Sequence, residues 1–204
     1  MAGLPRGLRA EHDGLQSVQP LEQPRPLASD LRSSGAGRSQ RRALDRQHVH
    51  QGPARRSGWQ RGASAQAIGR SRGGRTTKIH AITDSQGRLF RFELTPGNIA
   101  DITAAYELAA KLPSNGCLIG DMGYDALQLR QDLAFRGTAT VIPSNPTRKH
   151  QWPIDRATYK QRNLVERMFN RLKDFRRIAT RYDKLARNFA SAIALAAVVL
   201  WWAG

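Results

Sequence analysis

At 204 residues the chain is long enough for one domain of ordinary size with a true core. It carries 33 Lys and Arg against 16 Asp and Glu, a net charge of +17, which favours a polyanionic partner and puts nucleic acid first. The single Cys117 excludes an intrachain disulfide framework and, with no apolar leader run at the N-terminus, points to the cytoplasm; the one long apolar stretch, residues 190–203, is too short to span a bilayer and reads as a buried helix.

Residues 1–63 are rich in Arg, Gly, Pro, Ser and Gln, sustain no apolar period, and are expected to form a largely disordered basic segment. The folded domain is expected over residues 64–204. Gly69–Gly74 reads as a flexible basic loop. Thr76–Thr83 alternates and is β-branched, and Leu89–Leu94 follows the turn Asp84–Gly87, so the two predict a hairpin. Pro96-Gly97-Asn98 ends it. Asp101 is expected to cap a helix running to about Leu112. Cys117–Gly120 is an apolar run that ends at Asp121, as a buried strand does when it delivers a residue at its tip. Asp125 is expected to cap a second helix, closed by Gly137. Thr138–Pro143 predicts another short strand, and residues 145–152 a polar loop. Two helices finish the chain, one from Tyr159 and an apolar one from about Asn188. The order predicts an α/β fold with a mixed sheet and helices on its faces.

The stretch from Tyr159 to Lys173 has two faces. Val165, Met168, Leu172 and Phe175 form an apolar stripe, while Arg162, Glu166 and Lys173 lie on a neighbouring polar face. Taken alone, this is an amphipathic helix with ordinary charge pairs. Asp121, at a strand tip before a Gly-containing turn, occupies the place where open α/β sheets hold ligands. Together Asp121 and Glu166 are candidates to converge on a hard cation such as Mg²⁺ or Mn²⁺. His80 reads as a packed or surface strand residue rather than a metal ligand, Asp84 as a turn residue, and Trp201 and Trp202 as the end of a core helix. Arg176, Arg177 and Arg181 form either a solvated face or a phosphate-contacting one.

The spacing Tyr159, Arg162, Glu166, Lys173 resembles the signature of bacterial insertion-sequence transposases of the IS-four/IS-five superfamily. Gly69–His80, Gly97-Asn98 with Asp101, Asp121–Asp125 and Asp174–Asp183 are similar to further blocks of that family, in order, over about residues 64–202. The resemblance implies a DDE enzyme with an RNase H-like fold. Asp121 and Glu166 would be catalytic carboxylates and metal ligands. Tyr159, Arg162 and Lys173 would steady Glu166 or contact DNA, with Arg176 and Arg177 nearby. It also implies double-stranded DNA as partner, at transposon ends and target, and a homo-oligomer that pairs two ends. The expected chemistry is Mg²⁺-dependent cleavage at the ends, then strand transfer by the freed 3′-hydroxyl.

Such a family needs a third carboxylate upstream. Asp45 is the acidic residue at the right distance, although no strand pattern surrounds it. Leu44–Gly52 can be encoded so that skipping one nucleotide yields Ser-Ile-Asp-Ser-Thr-Ser-Ile-Lys, a family-like stretch. Residues 11–22, shifted the same way, yield an aromatic- and Arg-rich helix. On that hypothesis the N-terminal segment is frame-shifted and its Asp is displaced by about one position, which in a strand turns a side chain to the other face. Metal binding would then rest on Asp121 and Glu166, and the chain would be an inactive DNA-binding remnant. The gene's nucleotide sequence tests this. An unrelated basic structural protein is the third reading, and the separated motif blocks weigh against it.

Overall fold

The computed structural model describes residues 41–50, 63–72 and 74–203. Along the chain run β1 (Arg41–His50), the helical turn α1 (Ala63–Gln66), β2 (Gly69–Ser71), β3 (Gly74–Thr83), β4 (Leu89–Pro96), α2 (Asp101–Ala110), β5 (Cys117–Gly120), α3 (Leu127–Phe135) and β6 (Ala139–Val141). The turn α4 (Arg156–Tyr159), α5 (Asn163–Lys173), the turn α6 (Arg176–Ala179) and α7 (Ala186–Trp201) complete it.

The sheet is mixed. Its main order is β4–β3–β1–β5–β6, with β2 paired to the start of β3. β3 runs antiparallel to both β1 and β4, while β5 is parallel to β1 and to β6. An antiparallel three-strand unit extended by two parallel strands is the RNase H-like arrangement. Alternation along β1 divides the core. Ala43 and Val49 share one face with Ile79 and Ala81 of β3. That face is covered by Val165, Met168, Phe169 and Leu172 of α5 and by Phe189 and Ile193 of α7. Leu44 lies on the opposite face with Ile82, Leu118 and Ile142, covered by Ala105 and Leu108 of α2 and by Leu129 and Leu133 of α3. Val165, Met168 and Leu172 are all but fully buried, so the predicted stripe anchors α5, each side chain contributing roughly 1.5–3 kcal/mol.

The hairpin, the strand at Cys117–Gly120 and the strand at Ala139–Val141 form where expected. Gly137 follows α3 at φ +68°, the left-handed conformation that ends helices. Four local expectations are corrected. A ten-residue strand surrounds Asp45, inside the stretch expected to lack structure; the rest of residues 1–62 lies outside the described residues. Gly69–Ser71 is a strand, because β3 offers its edge there. Neither Asp101 nor Asp125 caps its helix: Ala100 and Ala126 stand at those positions without side-chain caps, and both carboxylates are drawn to cations instead. The apolar C-terminal helix is only half buried, with Leu195, Val198, Val199 and Trp202 exposed. No helix among the described residues is long and apolar enough to cross a membrane.

Candidate active site

The register of the two central strands sets the site. Leu44 pairs with Gly120, so the next residues, Asp45 and Asp121, come level at the end of β5. Asp45 has the parity of Ala43 and therefore lies on the face that α5 covers. A carboxylate one residue later, at position 46, would share the opposite face with Leu44. Asp121 accepts from the backbone N–H of Met122 at 2.7 Å and opens a 3₁₀ turn over Met122–Tyr124. Glu166 projects from the first turn of α5 and is half exposed, its side chain 52% accessible.

Arg162 holds this group together. Its Nη1 donates to Glu166 Oε1 at 2.5 Å, and its Nη2 lies 3.5 Å from Asp45 Oδ2. Burial works to lower the Arg162 pKa, but Asp45, Asp121, Tyr159 and Glu166 outweigh it and hold the cation charged. Asp45 is almost fully buried, and that burial pushes its pKa up. The Arg46 N–H at 2.8 Å and the charge of Arg162 oppose the rise, and Asp121 adds to it. Tyr159, partly buried beside the same carboxylates, is likewise raised, first by burial.

A second set of charges, absent from the sequence reading, lies on the other side of β1. Arg46 Nε is 2.8 Å from Asp101 Oδ2, and Lys78 Nζ is 2.9 Å from Asp101 Oδ1. Arg46 Nη1 also reaches to 3.8 Å from Asp121 Oδ2. The block Gly97-Asn98 with Asp101 was the available signal, but Asp101 at the start of a helix reads more simply as a cap. Asp125, whose side chain is 1% exposed, ties the Asp121 turn to the following loop. Burial works against its charge, but the Asn145 N–H, Arg148 and Arg130 hold its pKa low.

The other predicted residues separate from the carboxylates. Lys173 is two turns beyond Glu166, about 10 Å along the axis, and exposed. Arg176 is exposed, and Arg177 pairs with Asp183 at 2.9 Å. Arg181 is corrected outright: it is fully buried, donating to Gln66 O, Thr77 Oγ1 and Asp183 O, so no phosphate reaches it. His80 is buried and bonded to Thr95 Oγ1 at 2.8 Å, as a packed strand residue should be. Asp84 accepts from the N–H groups of Gln86 and Arg88, as expected of a turn. Trp201 packs on the core, while Trp202 is exposed beneath Arg88.

The donor chemistry fits a hard divalent ion. Asp121 and Glu166 offer only oxygen and are solvent-accessible, and Mg²⁺ is commonly held by one or two carboxylates plus substrate phosphates. No cluster of three or more His, Cys, Asp or Glu placed to hold a metal exists among the described residues; Arg162 lies between Asp45 and Glu166 instead.

The model of the transposase DDE domain matches residues 36–201, so the match begins upstream of β1. A Brucella ovis protein named for the insertion sequence element IS6501, whose transposase it is taken to be, is 40% identical over 127 residues. That match covers 62% of this chain and 98% of the relative. A Burkholderia cepacia counterpart for element IS402 is 28% identical over 137 residues, covering 62% of this chain and 63% of its own length. Among solved structures, the catalytic core domain of BIV integrase aligns over 79% of this chain and 83% of its own, at 16% identity and a TM-score of 0.40. The chain belongs to the transposase DDE domain family.

Proposed function

We propose that the chain cleaves and rejoins DNA at the ends of an insertion sequence, with Asp121 and Glu166 as metal-binding catalytic carboxylates and Asp45 as the third. The observation that carries this reading is that Arg162 binds both Asp45 and Glu166 while the charge of Asp121 also acts on it. Arg162 balances Asp45 and Glu166 in the metal-free chain, at the place where a divalent ion would take over that charge. Bound Mg²⁺ or Mn²⁺ would neutralise charge on the phosphate and lower the pKa of the attacking hydroxyl. Asp121 and Glu166 hold oxygen donors at the site, fixed by the end of β5 and the α5 stripe. Arg162, once released from Glu166, is within reach of a phosphate, to which it can bind in bidentate fashion. Tyr159, its pKa raised first by burial, keeps its hydroxyl proton at neutral pH and would have it to offer a phosphate oxygen. Lys173, Arg176 and Arg177 extend a cationic track for duplex DNA, and a homo-oligomer would bring two ends together.

A second reading, a DNA-binding remnant without activity, is favoured by one observation: Arg162 and Arg46 both sit among the carboxylates, and three ligands do not come together. Incubating the purified chain with duplexes carrying the ends that flank its gene decides between them. Mg²⁺-dependent nicking that disappears in Asp121→Ala and in Glu166→Ala supports the transposase. Salt-sensitive DNA binding with no nicking by the unmutated chain supports the remnant.

A further inference from the structure

We infer that Arg46 is an internal competitor of the divalent ion at Asp121, and that it sets the chain's metal affinity; the inference rests on the proposed metal site. Arg46 follows Asp45 on β1 and projects to the opposite face of the sheet. It does not run out into solvent there. Asp101 Oδ2 holds its Nε at 2.8 Å, and the guanidinium turns back beneath the Asp121 turn. A Cβ at Gly123 would lie 3.1 Å from Arg46 Nη1, so the cation is packed directly on the turn's backbone. Its Nη1 stands 3.8 Å from Asp121 Oδ2, one of the two solvent-accessible carboxylates proposed to take the ion.

A fixed positive charge at that distance already satisfies part of Asp121's demand for a cation. It also repels a second cation brought to the same oxygen. At under 4 Å, with its side chain 29% exposed, the effect is large enough to shift ion affinity by about tenfold. Asp101 and Asp121 each keep one other partner when Arg46 is replaced. Asp101 keeps Lys78 at 2.9 Å, and Asp121 keeps the Met122 N–H.

Mn²⁺ binding to the full chain, followed by electron paramagnetic resonance, tests this without activity. Arg46→Gln is expected to bind Mn²⁺ about tenfold tighter than the unmutated chain, while Arg46→Lys, which keeps the charge, stays within about twofold. Equal or weaker binding by Arg46→Gln overturns the inference. If the unmutated chain binds Mn²⁺ and Asp121→Ala abolishes it, the metal site stands even when the Arg46 inference falls. If no form binds Mn²⁺, both fall. A second measurement needs no variant: on titration of the unmutated, ¹⁵N-labelled chain with Mg²⁺, the Arg46 Nε–H resonance must shift with the binding curve. A resonance that stays still at saturation also overturns the inference.

Discussion

Arg162 reaches one helical turn forward to Glu166 at 2.5 Å and, with its other nitrogen, across to Asp45 on the central strand at 3.5 Å. The helix and the sheet are thus joined at the site by one side chain. Arg162→Ala removes the charge that opposes the rise in the Asp45 pKa. A carboxyl whose folded pKa lies above its unfolded value carries a penalty that grows as pH rises from the unfolded value through the folded one and is absent below both. The variant is therefore expected to be destabilised by about 1–3 kcal/mol at pH 7 and by less at a pH below the unfolded value of 3.8. Urea unfolding in metal-free buffer at the two pH values measures it; a loss independent of pH would reject the coupling.

Asp45→Asn follows from the same sign. Burial raises the Asp45 pKa, so its charged form is less favourable in the fold than in the unfolded chain. The neutral isostere is expected to melt at or above the unmutated temperature at pH 7, while abolishing Mg²⁺-dependent nicking. Clear thermal destabilisation would mean that the ion pair with Arg162 outweighs desolvation.

Two neighbouring arginines should respond in opposite ways. Arg181→Ala strips donors from several buried oxygens, and its own pKa is pushed down to about 10 by burial, with Asp183 opposing. A loss of about 3–5 kcal/mol is expected, with the salt slope of DNA binding unchanged among folded molecules. Arg176→Ala should leave the melting temperature alone and lower the salt slope by about 1. Equilibrium unfolding and binding at several salt concentrations separate the two.

His80 makes stability fall in mild acid. Burial lowers its pKa from 6.5 to about 4, so the unfolded chain binds the proton first as pH drops. The contribution is complete above about pH 6.5 and is lost progressively toward pH 4, amounting to about 2–3 kcal/mol. His80→Gln can keep a polar contact to Thr95 without titrating. The difference in unfolding free energy between it and the unmutated chain should shrink across that window.

The elements readable from sequence were those in which one local rule acts without competition. Cys117–Gly120 is uniformly apolar and lies buried in the middle of the sheet, and Val165, Met168 and Leu172 repeat at helical spacing. β1 escaped because Arg42, Asp45, Arg46, Gln47 and His48 interrupt its alternation; its strand state comes from β3 and β5 on either side, not from its own residues. Asp101 and Asp125 were misread for a related reason. Both residues suit caps, yet Lys78 and Arg46, or Arg130 and Arg148, reach them from distant sequence. Glu166 and Asp121 stood out in the sequence because their types and positions suit one chemistry, and in the structure both act on Arg162. Arg181 was not, since a count of charges cannot tell a buried cation from a solvated one.

The central place of β1 has a consequence for how the chain matures. It leaves the ribosome before either neighbour, and its parallel partner β5 follows only some 75 residues later. Until β3 emerges, Ala43, Leu44 and Val49 have no sheet to join and both edges of the strand stand open. Assembly is therefore expected to begin with the local β3–β4 hairpin, with β1 captured afterwards and the β5 contact closing last, a sequence of long-range steps that makes folding slow. Pulse-labelled hydrogen exchange should find the amides of Lys78–Ile82 protected before those of Ala43–Asp45.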